Sequence, residues 1–534
     1  MRSFFVAVLL FGVHLSFCQN RYDPVFKYNR HEIYSLNWFA KDLKTDTVPG
    51  ISLDLAYDRV LANKPSETVI VAIIDSGVDI DHEDLVDNIW INEDEIAGNK
   101  IDDDNNGYID DIYGWNFLGN DRGENIKNET LELTRIYRKY SGLFGSELEN
   151  LADQERELFE QVKLEYWERL KRARKEKADL DNFILHYRFY KRYLQAYLKK
   201  QVFSLAEVKR INAYDITLSK ACEFWIDVSQ NGFSEKIISE LQENNYSKLN
   251  FHLNPEYDPR RDVIGDNIQE ASHHVYGNND VIGDRPSHGT HVAGLIGAIR
   301  DNGIGIDGIV ENVKIMALRV IPNGDERDKD VANAIRYAVE NGARVINMSF
   351  SKGYSPQKIA VDNAVRFAEE KGVLIVHGSG NHSKNLDLEN VYPNAYYLNN
   401  DKAENWLTVG ATTINYDKGL AADFSNYGQN NVDLFAPGVD IFSLVNEDGY
   451  DFQNGTSMAS PIVAGVAALL FSYYPNLTAT EVKEIILRNS NELRKMRVRM
   501  PGKQVKKNVK FKRLSVTGGI VNAYQAVLSA EKSK

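Results

Sequence analysis

Cysteine is almost absent: the 534 residues hold two, Cys18 and Cys222. Cys18 lies at the edge of an apolar N-terminal stretch, so Cys222 stands alone and no internal disulfide can brace the processed chain. A hydrophobic core, or a metal, has to supply the stability. Positive charge is also short, with 63 Lys and Arg against 76 Asp and Glu and a net charge of -13. That balance argues against nucleic acid as a main partner. Long apolar runs are the third thing missing. After Arg2, the run from Phe4 to Phe17 is too short to cross a bilayer. It fits a secretory leader over residues 1–18, cut near Cys18 or Gln19, which predicts a periplasmic or extracellular protein. A lipid anchor on Cys18 is the alternative, disfavoured by bulky Phe17 just before it. No later stretch is expected to form a transmembrane helix.

What is present is ordinary for a globular protein: 43% hydrophobic and 26% charged residues. The texture changes twice. Residues 69–118 read as strand and loop, opening on the apolar run Thr68 to Asp75, as expected of a strand buried on both faces. From about 119 to 279 the sequence becomes long charged helices, with a stripe at Leu151, Leu158, Val162, Tyr166 and Leu170. From 280 to 528 strand and helix signals alternate: Val313–Val320, Asp330–Asn341, Arg344–Phe350, Lys358–Lys371 and Val373–Val376. Alternation of this kind predicts an α/β fold with a doubly wound, mostly parallel sheet and an inserted, mainly α-helical subdomain. Function in such sheets gathers at the carboxyl ends of the strands.

One hydroxyl stands out. In DFQNGTSMASPIVAGVAALL, residues 451–470, Ser457 sits where a loop meets a helix of small residues. Pro461 is expected in the first turn of that helix, the part of a helix that tolerates proline. A helix cap is the plain reading of such a serine. A nucleophile is the sharper one, and it requires a histidine base and an orienting acid. His288, in SHGTHVAG, begins a similar small-residue helix. Its neighbour His291 does not make a metal pair with it, because HGTH lacks the spacing and glutamate of HExxH. Asp75, in IIDSGVD, ends a buried strand, where a carboxylate needs a partner such as an imidazole N–H.

IIDSGVD, HGTHVAG and GTSMASP, in the order Asp, His, Ser, resemble the three active-site signatures of the subtilisin-like serine proteases, the subtilase family. NMSF at 347–350, HGSGN at 377–381, APG at 436–438 and TGGIVNAYQAV at 517–527 also match in order. The resemblance implies a serine endopeptidase acting on proteins or peptides, with no catalytic cofactor. Ser457 would attack, His288 would carry the proton and Asp75 would hold His288. Asn381 would supply the oxyanion donor. Substrate would lie extended beside Ser349, Phe350 and Ser351, near Gly378, with Val391 at the floor of the S1 pocket. The implied parts are a leader (1–18), an N-terminal arm packed on the catalytic domain (19–68), two catalytic segments (69–118 and 280–528), the insertion (119–279) and a tail (529–534). The insertion has to leave and re-enter at neighbouring points, so that Asp75 can reach His288. Other readings of the family pattern are a narrow-specificity processing protease or transpeptidase for a secreted peptide, and a silent binding module. The presence of all three signature residues argues against the last.

Two loops bear on metal. Gly303-Ile-Gly305-Ile-Asp-Gly308 matches GxGxxG, but a helix precedes it and a strand follows, the reverse of a dinucleotide site. The resemblance implies structural calcium there, held by Asp84, Asn302 and the carbonyls of Ile304 and Ile306. Separately, Asp102, Asp104, Asn106, Tyr108 and Asp110 have the spacing of the first positions of an EF-hand loop, with Gly107 at the turn. Tyr113 stands where the closing glutamate belongs, so an isolated calcium loop is expected rather than a full EF-hand. A solvated acidic turn is the alternative.

Overall fold

The apolar run ending at Asp75 is strand β1 (Val69–Asp75), and its side chains alternate between two cores. Val69, Val71 and Ile73 enter one hydrophobic cluster, Ala72 and Ile74 another on the opposite face. This computed structural model describes residues 36–143, 150–266, 275–502 and 507–532. The expected leader and Cys18 lie outside the described residues. The other strands are β2 (Gly114–Asn116), β3 (Val313–Arg319), β4 (Val345–Met348), β5 (Leu374–Gly378), β6 (Trp406–Thr412) and β7 (Leu434–Pro437). They are followed by a hairpin of β8 (Ile441–Val445) and β9 (Gly449–Gln453), then β10 (Asn491–Glu492), the pair β11 (Arg497–Arg499) and β12 (Asn508–Lys510), and β13 (Gly519–Ile520). The main sheet has the order β10-β13-β7-β6-β5-β4-β1-β3-β2. The β10–β13 pairing is antiparallel; the others are parallel.

Helices cover both faces, as parallel strands require. On one side lie α1 (Ser287–Gly297), α4 (Thr456–Tyr473), α5 (Ala479–Arg488) and α6 (Ala523–Lys532). On the other lie α2 (Asp328–Glu340) and α3 (Lys358–Glu370). Gly342 and Gly372 end α2 and α3 in the left-handed region, with φ of 79° and 72°. Trp38, Phe39, Ile51, Leu53 and Leu61 of the N-terminal segment are buried in the first core, and the Trp38 indole donates to the Asp440 carbonyl. Each such side chain contributes roughly 1.5–3 kcal/mol of burial. Helix α4 is the one described helix long and apolar enough to cross a membrane, a feature not anticipated from the sequence, but 94% of it is buried as the central core helix.

The chain divides into two compact units: one of residues 128–258, the other of the remaining described residues. The helical unit is therefore narrower than the expected 119–279. Residues 119–127 and 259–266 and 275–279 group with the sheet because they are stitched to it. Asn116 and Asn278 exchange backbone hydrogen bonds, Asn120 Nδ2 donates to the Val263 carbonyl at 2.8 Å, and Asn125 Nδ2 donates to Asp280 at 2.7 Å. The segment leaving the sheet unit thus runs beside the segment returning to it.

The 128–258 unit is built on one helix of 46 residues, Asp153–Leu198. Val162, Tyr166 and Leu170 of the expected stripe are buried along it. Helix Glu132–Ser141 packs there with Tyr137 stacked on Tyr166 at 4.0 Å. Helices Ile216–Gln230 and Glu235–Ser247 are capped by Asp215 and Ser234, whose side chains accept the N–H groups of Leu218 and Ile237. Leu180, Phe183, Ile184, Val228, Ile238 and Leu241 form a core beneath them.

Candidate active site

Strand β1 delivers Asp75 to its carboxyl end, and α1 begins beside it with His288. Close approach is the condition. An added Cβ on Gly289 would sit 2.1 Å from the Gly77 carbonyl and 3.2 Å from the Asp75 Cβ, so only glycine lets the helix start that near the strand end. His288 Nδ1 then donates to Asp75 Oδ1 at 2.7 Å. The carboxylate is 2% exposed and also accepts the Ser76 N–H at 2.7 Å. Burial pulls the His288 pKa down, but the charge of Asp75 and its hydrogen bond outweigh this and leave it above 6.5. His291, one turn along, faces backbone instead: Nε2 donates to the carbonyls of Ile441 and Asp451. Burial pushes its pKa down to about 3, so it is a neutral strut for the β8–β9 hairpin.

Ser457 stands in the first turn of α4. The helix begins at Thr456, so Pro461 lies in its second turn, not in the first as the sequence suggested. A proline there cannot bond back to the residue four earlier, which is Ser457. The freed Ser457 carbonyl accepts the Ser349 hydroxyl at 2.9 Å instead. Ser457 Oγ in turn donates to the Ser349 carbonyl at 3.0 Å. Ser349 Oγ is also 2.9 Å from Ser460 Oγ. The Ser349 side chain is thus a buried brace under the Ser457 turn, while its backbone carbonyl is held by Ser457 Oγ.

Asn381 follows β5 and is held by the same turn. Its Oδ1 accepts the Thr456 N–H at 2.9 Å and the Thr456 hydroxyl at 3.0 Å. That hydroxyl accepts the Gly380 N–H at 3.0 Å. With Oδ1 occupied, Nδ2 is fixed in direction and has no acceptor among the described residues. The Ser457 N–H, in the first helical turn, likewise has no intrahelical acceptor. Gly378, expected on the substrate surface, is buried: an added Cβ would meet the Thr456 carbonyl at 2.9 Å. Its role is to let β5 pass under the start of α4.

Beyond β4, the Phe350 carbonyl accepts from His377 Nε2 at 2.7 Å. Burial lowers the His377 pKa to about 4, so that ring is neutral. The Ser351 backbone makes no hydrogen bond among the described residues. Val391 is buried and lines a pocket with His377, Pro393, Asn394 and Tyr396.

The two metal loops differ from expectation in detail. Asp84 is fully buried and accepts from Asn302 Nδ2 at 2.7 Å, the Ile306 N–H at 3.1 Å and the Tyr450 hydroxyl at 3.4 Å. It has no cationic partner among the described residues, and the carbonyls of Ile304 and Ile306 are not hydrogen-bonded there. A buried, cation-free carboxylate beside open carbonyls fits calcium. In the second loop Glu95, Asp104 and Asp111 converge within 4.8 Å, and Asn92 and Asn106 donate to both Asp104 and Asp111. Asp102 and Asp110 are not in this cluster. Asp102 accepts the N–H groups of Asn106 and Gly107, and Asp110 those of Asn99 and Lys100. Tyr108 puts its side chain into the second core. Asp111, one place past the expected position, and Glu95, before the motif, were missed. The doubled Asp110-Asp111 was the one available signal for the former.

The sequence model of the subtilase family matches residues 66–505. The thermophilic serine proteinase of Bacillus sp. strain AK1 is 40% identical over 211 residues, covering 39% of this chain and 48% of that protein. Subtilisin DY of Bacillus licheniformis is 36% identical over 202 residues, covering 38% of this chain and 69% of that protein. Among solved structures, proteases from Pseudoalteromonas arctica PAMC 21717 align at 28% identity and a TM-score of 0.37, over 48% of this chain and 74% of that one. The chain spans about half the length of the thermophilic proteinase.

Proposed function

The chain belongs to the subtilase family, and on that premise we propose that it is an exported serine endopeptidase hydrolysing peptide bonds in proteins or peptides. The observation that carries the reading is the 2.7 Å hydrogen bond from His288 to a buried Asp75 at the end of the central strand. Asp75 fixes the tautomer with the proton on Nδ1, which leaves Nε2 as a base. Ser457 Oγ has to turn about χ1 from the Ser349 carbonyl toward His288 Nε2, a rotation between staggered wells. It then attacks the scissile carbonyl while His288 takes its proton, and His288 returns that proton to the leaving amine. Charge on the carbonyl oxygen is met by Asn381 Nδ2 and the Ser457 N–H, both pre-aimed. As Ser457 turns away, the Ser349 carbonyl and the unpaired Ser351 backbone are left for an extended substrate to pair with.

A fluorophosphonate probe tests the assignment. It should label Ser457, and labelling should vanish in His288→Ala and in Ser457→Ala while both variants stay folded. Labelling elsewhere, or undiminished labelling of His288→Ala, would sink it.

Calcium has a structural part in this reading. Asp84 with the Ile304 and Ile306 carbonyls, and with Asn302 Oδ1 after a half-turn of its amide, would hold one ion. Glu95, Asp104 and Asp111 would hold another. Bound calcium would offset the repulsion and burial of these carboxylates and stabilise the fold, by about 2.7 kcal/mol at a hundred times Kd. Chelation should lower the melting temperature, and Asp84→Asn and Asp111→Asn should each remove part of that drop. A melting temperature indifferent to chelator counts against both sites.

A further inference from the structure

The last third of the Asp153–Leu198 helix carries two opposite surfaces. One is core: Phe183, Ile184, Tyr187 and Leu194 are buried. The other faces outward and is apolar as well. Leu185 and Phe189 point away from that core, and the four-residue spacing carries the row on through Tyr193, which is half-buried against the Leu194 core, to exposed Tyr197. Phe189 and Tyr193 lie 6.3 Å apart with nearly parallel rings, and Tyr197 meets Tyr214 at 6.3 Å, which joins the following loop to the ladder. Leu185 is 67% exposed, Val202 86%, Tyr214 78% and Ile216 75%. Burial of such side chains is worth enough that leaving several of them uncovered on one helix and the loop after it marks an interaction surface.

Charge identifies the partner. Around this patch Arg188, Arg192, Lys199, Lys209 and Arg210 are exposed, and none is paired with a carboxylate among the described residues. The nearby acids are engaged: Glu207 pairs with Lys200, Glu235 with Lys191, and Asp215 caps its helix. A strongly basic patch in a chain of net charge -13 is complementary to an anionic partner. Aromatic ladders also bind sugars and single-stranded nucleic acid by stacking, but Leu185, Val202 and Ile216 have no ring face to stack. Aliphatic groups beside phenols and a rim of Lys and Arg suit the boundary between lipid headgroups and acyl chains, where apolar side chains insert and cations meet phosphate. We propose that this face of the 128–258 unit docks on a membrane surface rich in anionic lipid.

The test is co-sedimentation of the full chain with vesicles. Vesicles of one part phosphatidylglycerol to two parts phosphatidylcholine should bind it, and pure phosphatidylcholine should bind it at least about ten-fold more weakly. High salt should weaken the binding to the anionic vesicles. Arg188→Gln/Arg192→Gln/Lys199→Gln should lower the partition to anionic vesicles about a hundred-fold, roughly five-fold per cation. Leu185→Ser/Val202→Ser/Ile216→Ser should abolish the residual binding seen in high salt. All six side chains are exposed, so both variants should melt as the parent does. The comparison of vesicle compositions needs no variant. Equal binding to both vesicle types by the parent chain overturns the proposal. So does retention on an oligonucleotide or heparin that the aliphatic triple variant keeps in full, which would mark a polyanion site. A dimer abolished by the same triple variant, with no vesicle binding, would assign the face to a second copy and overturn it too.

Discussion

Two helix starts look alike in sequence and differ in what surrounds them. Both SHGTHVAG and GTSMASP are small-residue runs that let a helix end press on neighbouring backbone. At the start of α1 the neighbour is a buried carboxylate, and the arrangement is governed by charge: Asp75 reverses the effect of burial on His288. His291, three residues on and without a carboxylate, shows burial prevailing over two backbone hydrogen bonds. At the start of α4 no described charge touches Ser457. Hydroxyls, carbonyls and one amide hold it, organised around a carbonyl that Pro461 leaves vacant. Charge sets the proton affinity of His288; neutral hydrogen bonds set the direction of the Ser457 turn and of the Asn381 amide.

The sharpest way to break this contrast is at the charged end. Asp75→Asn should keep the shape but invite the wrong tautomer, lowering kcat by roughly 10⁴. It should also move the acid limb of the pH profile. Protonated His288 cannot take the Ser457 proton, so kcat/KM of the parent should fall as pH drops through a value above 6.5. Without the carboxylate charge, burial dominates and the inflection should shift to lower pH. A variant with full activity, or one whose inflection moves up, would show that charge does not govern this end.

At the neutral end the effects should be smaller and leave the pH profile in place. Asn381→Leu removes one pre-aimed donor and should cost roughly 10²–10³ in kcat with little change in KM. An equal loss spread into KM would mean that Asn381 binds the ground state. Smaller still, Ser349→Ala strips the Ser457 carbonyl of its donor inside the protein. It should destabilise the fold by about 1–3 kcal/mol in urea titration. No change in midpoint would mean that water or Ser460 replaces the hydroxyl.

Much of this was legible in the sequence because periodicity and punctuation agree with the fold. β1, β3, α2 and α3 lie where apolar runs and closing glycines put them, and the three signature residues sit at the end of β1 and at the starts of α1 and α4. What stayed hidden depended on contacts far apart in the chain. Pro461 could be read as a helix start, since nothing local says that Ser349, 108 residues earlier, accepts responsibility for the missing bond. Gly378 and the Ser349 side chain read as cleft groups because they neighbour the cleft in sequence, while the structure turns both under it. In the acidic loop the EF-hand register assigned Asp110, but Asp110 adopts a φ of 54° and folds back on residues 99 and 100, so Asp111 takes the inward place.

The parallel pairing of Val69 with Val313, and of Val71 with Val345, has a consequence for biogenesis. The central strand is the first part of the sheet to be synthesised and is flanked on both sides by strands made after the entire helical unit. At roughly 5–20 residues per second, tens of seconds separate it from its partners. During that time an apolar stretch with two unsatisfied edges has nothing native to pair with. The helical unit, rich in local contacts, can complete itself meanwhile. The strand that positions Asp75 is therefore the segment of this chain most in need of protection by a chaperone before the molecule is complete.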